Sequence, residues 1–80
     1  MRAIEVLQPA TALVYLLLFP PGNPPQFSAP RTAWRGDGVH YLSADACRDA
    51  LAKSVVDAVM QKRGHDEVER AKSGVCVRAN

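Results

Sequence analysis

From Ser43 onward, apolar positions recur with a helical period. Cys47, Leu51, Val55, Ala58 and Val59 are spaced by threes and fours, one apolar stripe with Ala50 and Ser54 beside it. Ser43 precedes the stripe and offers a hydroxyl to an early unpaired amide, while Asp45 places negative charge at the positive end of the helix dipole. Asp49 and Lys53 make an i,i+4 pair away from the stripe. Lys62 and Arg63 suit the negative end of the dipole, and Gly64 suits the left-handed residue after a last turn. The pattern predicts a main amphipathic helix over about 43–63.

Elsewhere the period shortens. Ile4 and Val6 flank Glu5 in a weak alternation that Pro9 interrupts. Ala12 to Phe19 reads ALVYLLLF, an unbroken apolar run that suits a buried strand or a buried helix; its length favours a strand. Pro20 and Pro21 end it, since neither can donate a backbone hydrogen bond. Residues 20–30 hold five of the six prolines and predict a stiff, extended loop with little regular hydrogen bonding. Ala33-Trp34-Arg35 and Val39-His40-Tyr41 flank Gly36-Asp37-Gly38, the pattern of a hairpin; the alternative is a strand over Val39 to Leu42 alone. A short second helix is expected over about 66–72 with Val68 and Ala71 facing inward, broken by Gly74. Val75 to Arg78 reads as a closing strand that brings Cys76 near the first turn of the main helix. The elements compose one small α+β domain over residues 1–80, a mostly antiparallel sheet packed by one helix face.

Composition narrows the function classes. Eighty residues leave room for one core, and an apolar fraction of 48% argues against disorder throughout. The first thirty residues carry only Arg2 and Glu5, so nine of the ten basic and seven of the eight acidic residues lie beyond them, interleaved. A net charge of +2 without clustering speaks against nucleic-acid binding, leaving a weak nucleic-acid-binding module, through Arg31, Trp34 and Arg35, as a third reading. The run at Ala12 to Phe19 falls short of the ~20 apolar residues a membrane span needs. Arg2 ahead of that run resembles a secretory leader, but Glu5 and the crowd of prolines at the cleavage position, with Ala29-Pro30 the nearest candidate, count against one. A cytoplasmic protein is expected; an exported or membrane-associated structural protein is the alternative.

The chemistry-bearing residues form no recognisable site. Arg35-Gly36-Asp37 spells the integrin-binding tripeptide, but these are also ordinary turn residues. His65, Asp66, Glu67 and Glu69 offer metal-ligand atoms, yet at best His65 and Glu69 share a helix face, too few for a metal site. His40 is expected on a polar strand face. No nucleophile elbow is present, and Cys47, at a helix N-terminus, lies on the stripe that should be buried. A non-enzymatic protein without cofactor or metal is expected. Cys47 and Cys76 are either bridged, with a chain-entropy contribution of ~3–4 kcal/mol, or reduced and buried. Phe27, Arg31, Trp34 and Arg35 combine aromatic rings with guanidinium groups beside the proline loop, the residue types that anchor protein interfaces. Trp34 has a second reading, as core beneath the helix. Pro21-Gly-Asn-Pro24 also satisfies the P-x-x-P spacing. A protein partner is therefore expected, with no small-molecule substrate, and a homodimer is compatible with the same surface.

Tyr41-x-Ser43-x-x-x-Cys47-x-x-Ala50, followed by Cys76-Val77, resembles a pattern in short proteins of bacteriophages and other mobile elements. There an aromatic-ended strand leads into a serine-capped helix carrying a cysteine, and a final strand carries a second. The resemblance covers about half the chain. It implies a compact domain, sometimes exported, that acts by occupying a surface of another protein, as anti-CRISPR inhibitors of host defence enzymes do.

Overall fold

The computed structural model describes residues 13–79; the alternation at Ile4 and Val6 and the start of the apolar run at Ala12 lie outside the described residues. The chain order is β1 (Tyr15–Phe19), a 3-10 turn (Arg31–Ala33), β2 (Arg35–Gly36), α1 (Ala44–Met60), α2 (His65–Lys72) and β3 (Val75–Arg78). This is the α+β architecture that the pattern predicts. The apolar run becomes the middle strand of an antiparallel sheet ordered β2-β1-β3. Its unbroken apolar composition matches side chains that are buried on one face and half-buried on the other.

Strand alternation divides β1. Leu17 lies opposite Cys76 and faces α1, where it is 1% exposed. Leu16 and Leu18 lie opposite Val77 and Val75 on the other face, and all four are half-buried. Cys47, in the first turn of α1, is fully buried and bonded to Cys76, with the two Cα atoms 6.1 Å apart. Leu17, Pro20, Cys47, Ala58 and Ala71 are buried, so the core is small and the disulfide runs through it. Gly74, expected as a helix breaker, has a further role. A Cβ there would lie 2.7 Å from both Leu51 and Phe19, so any other residue would have to displace those two side chains.

The hairpin expected around residues 36–38 does not form. Its two flanks pair with β1 instead: Arg35–Gly36 against Phe19 and Leu18, and Tyr41 against Tyr15 through reciprocal N–H to C=O bonds of 2.8 and 2.9 Å. Leu18 and Tyr15 are three positions apart on β1, while Gly36 and Tyr41 are five apart, so residues 37–40 must bulge. Asp37 closes that bulge by accepting from the Val39 N–H at 3.1 Å and from the Tyr41 hydroxyl at 2.5 Å. Pairing on a ready strand edge supplied more partners than a three-residue hairpin could. The hydrogen bond to Asp37, with smaller contributions from desolvation and the carboxylate charge, raises the Tyr41 hydroxyl pKa above its ordinary value.

α1 begins as its sequence dictates. Ser43 Oγ accepts from the Ala46 N–H at 3.0 Å, and Asp45 pairs with Arg48 at 3.0 Å, whereas Asp49 and Lys53 are not within ion-pair distance. The stripe is narrower than its spacing implies. Cys47 and Ala58 are buried and Leu51 and Val55 half-buried, but Val59 is 55% exposed. At 3.6 residues per turn, Ala58 lies within about 20° of Cys47 around the axis and Val59 about 120° away.

The end of α1 also differs from expectation. The Arg63 N–H donates to Ala58 C=O at 3.0 Å and the Lys62 N–H to Val59 C=O at 3.1 Å, a Schellman closure whose left-handed residue is Lys62, at φ 53°. Gly64 has φ 96° and ψ 164° but serves as the residue that caps α2. Lys62→Gly should therefore stabilise the domain by roughly 0.5–1 kcal/mol, the left-handed penalty less the entropy of a freer unfolded chain. Urea denaturation of the two proteins measures it; a lower midpoint for the glycine variant would contradict the assignment.

Candidate docking surface

The proline-rich segment is built as a folded platform rather than the extended rod its composition predicts. Prolines cannot donate, but the residues between them can. The Gln26 N–H donates to Pro21 C=O at 2.7 Å, Ala29 to Gln26 at 3.1 Å, Ala33 to Pro30 at 2.8 Å and Trp34 to Arg31 at 3.0 Å. Gly22, at φ 89°, permits the first of these turns. Pro20 is fully buried at the start of the segment. Arg70, on α2, clamps it: Nε donates to Pro20 C=O at 3.3 Å, Nη2 donates to Gly22 C=O, and Nη1 pairs with Glu67. The Arg70 side chain is only 19% exposed, and its bonds to Pro20 and Glu67 are part-buried while the one to Gly22 lies at the surface.

The four residues expected at an interface all lie on this platform or at its exit. Trp34 is half-buried, not part of the core; its Nε1 donates to Ala29 C=O at 3.1 Å, and the Arg31 guanidinium stacks 4.6 Å from its ring centroid. Such a stack contributes on the order of 0.5–1 kcal/mol at an exposed site. Arg35 is exposed on β2 and, with Thr32, Ala33, Trp34 and Gly36, lines a shallow groove. Phe27 stands on the preceding turn, 54% exposed. The structure therefore brings Arg31, Trp34 and Arg35 together and leaves Phe27 presented beside them in sequence.

Other candidates fare differently. Cys47 and Cys76 are consumed in the disulfide, so neither presents a thiolate. His40 is exposed in the bulge and not on a strand. His65 opens α2, and among the described residues no three His, Cys, Asp or Glu side chains come together. A cleft of about 190 Å³ between the helices has Phe19 and Ala58 in its walls. Its charged residues pair among themselves, Asp57 with Arg63 at 3.6 Å and Glu67 with Arg70. No helix among the described residues is long and apolar enough to cross a membrane.

Sequence reading missed two features. Arg70 gave no local signal, because its carbonyl partners lie 48 and 50 positions earlier in the chain. The outward face of α1 is the second: Val56 and Met60, at 60% and 75% exposure, join Val59, which the stripe placed inward and which is 55% exposed. Its signal was the surplus of apolar residues beyond one stripe.

These features define a small α+β domain joined by one internal disulfide, with a braced aromatic–arginine platform at one sheet edge. Comparison with protein-family models, curated proteins and solved structures finds no match to the chain.

Proposed function

We propose that this domain acts without catalysis, by docking the 26–36 platform onto a protein partner. The observation that carries this reading is the state of Trp34. A large aromatic ring is held part-buried at the surface by a hydrogen bond to Ala29 and a guanidinium stack from Arg31, in a loop that Arg70 clamps at its base. Aromatic and arginine side chains dominate interface energetics, and a loop already folded before contact loses little entropy on docking. Occupying a host enzyme's surface, as the mobile-element resemblance implies, is one case of such docking and rests on the residues quoted for it alone.

Phe27→Ala and Arg31→Ala test this surface without disturbing the core, since both side chains are exposed. Each should weaken capture of the partner from host lysate by roughly tenfold or more while leaving the circular dichroism spectrum intact. Undiminished capture by both variants would remove the platform from the account.

The export reading draws on a separate observation. A Cys47–Cys76 disulfide fits an oxidising compartment. A leader cut after Ala29, however, would carry away β1 and with it Leu17 and Pro20. Intact mass from the native host distinguishes the two: loss of about twenty to thirty residues, the length of a secretory leader, would favour export and leave the sheet without its middle strand.

A further inference from the structure

The partner's chemistry can be taken further from the edge of the sheet on which the platform ends. Tyr15 exchanges both backbone bonds with Tyr41, so alternate residues of β1 aim their N–H and C=O groups towards β2. Phe19 is the next such residue with a β2 partner, which makes Arg35 the residue bonded inward and turns the Gly36 N–H and C=O outward. β2 is an outer strand of the sheet, so these groups lie on its open edge, at a residue that also lines the shallow groove from Thr32 to Gly36. With no side chain at Gly36, an approaching backbone meets bare backbone.

Charge defines what should approach. Residues 20–36 contain Arg31 and Arg35 and no carboxylate. Arg48, Arg63 and Arg70 each have a carboxylate within ion-pair distance, whereas among the described residues Arg31, Arg35 and the distant Arg78 have none. Asp37, the next acid along the chain, is engaged by the Val39 N–H and the Tyr41 hydroxyl. Two uncompensated guanidinium groups therefore flank an aromatic ring and an unpaired strand edge.

We infer that this groove takes an acidic, extended segment of the protein partner, which adds as a strand along Gly36, aims carboxylates at Arg31 and Arg35, and lays an apolar side chain on Trp34. The inference rests on the docking reading above and adds the partner's chemistry to it.

Trp34 is the one tryptophan of the chain, so its emission reports this groove directly. The probe is an end-blocked eight-residue peptide alternating glutamate with valine and threonine, compared with its counterpart carrying glutamine for glutamate. The glutamate peptide should give a saturable change in emission. The glutamine counterpart should bind roughly three- to tenfold more weakly, and raising the ionic strength about tenfold should close that gap. The double variant Arg31→Gln, Arg35→Gln should lose the preference while Trp34 still responds. Equal affinity for the two peptides, or no saturable response to the glutamate peptide, would overturn the inference. Partner capture sensitive to Phe27→Ala would still stand in that case, so the failure of the acidic segment is distinguishable from failure of the platform.

Discussion

Reducing the Cys47–Cys76 bond, or replacing both residues by alanine, is expected to lower the stability of the domain by about 3–4 kcal/mol. The bond closes a loop with a sequence separation of 29, and the loss of unfolded-chain entropy on closing such a loop gives that magnitude. The effect should be large relative to the whole. A domain of this size is stable by roughly 4–12 kcal/mol, and Leu17, Pro20 and Cys47 are its largest fully buried side chains among the described residues. Cys47 is one of them, at 0% exposure, and Cys76 belongs to an outer strand of the sheet, laddered to β1 on one edge. Urea unfolding with and without a thiol reductant measures the difference. A reduced protein with an unchanged midpoint would show that β1–β3 pairing and helix packing suffice alone.

Leu17→Ala is the second large effect, at about 3 kcal/mol of destabilisation from lost transfer energy and the cavity left behind. Leu17 sits in the middle strand, 1% exposed, opposite Cys76 and beneath α1. Its neighbour Leu18 lies on the other face, half-buried, and there the same substitution should cost less than half as much. The pair is informative because both residues belong to one continuous leucine run, and only the strand alternation separates them. Equal losses at the two positions would mean that the run is buried all round, as in a helix, and would contradict the sheet.

How far the sequence could be read follows from the range of the interactions involved. α1 was legible because its cap, its dipole charges and most of its stripe are local; Ser43, Cys47 and Ala58 stand where the pattern put them. β3 was legible because Gly74 and the Val-Cys-Val run mark it locally. The hairpin around Gly36 was misread because its flanks found a better partner in β1, a competition that no local pattern records. Gly64 was misplaced because Lys62 took the left-handed position two residues earlier. At the candidate site, the residue types of Phe27, Arg31, Trp34 and Arg35 were visible from composition alone. The folding of the proline segment was not, since it depends on Arg70 reaching across from α2.

Hydrogen exchange of the domain bound to its captured partner locates the docking surface residue by residue. The account predicts new protection confined to amides of residues 26–36, whose hydrogen bonds are exposed or half-exposed in the free domain, with the outward face of α1 unchanged. New protection around Val56, Val59 and Met60 with none between Gln26 and Gly36 would contradict it, and would place the docking surface on the helix instead.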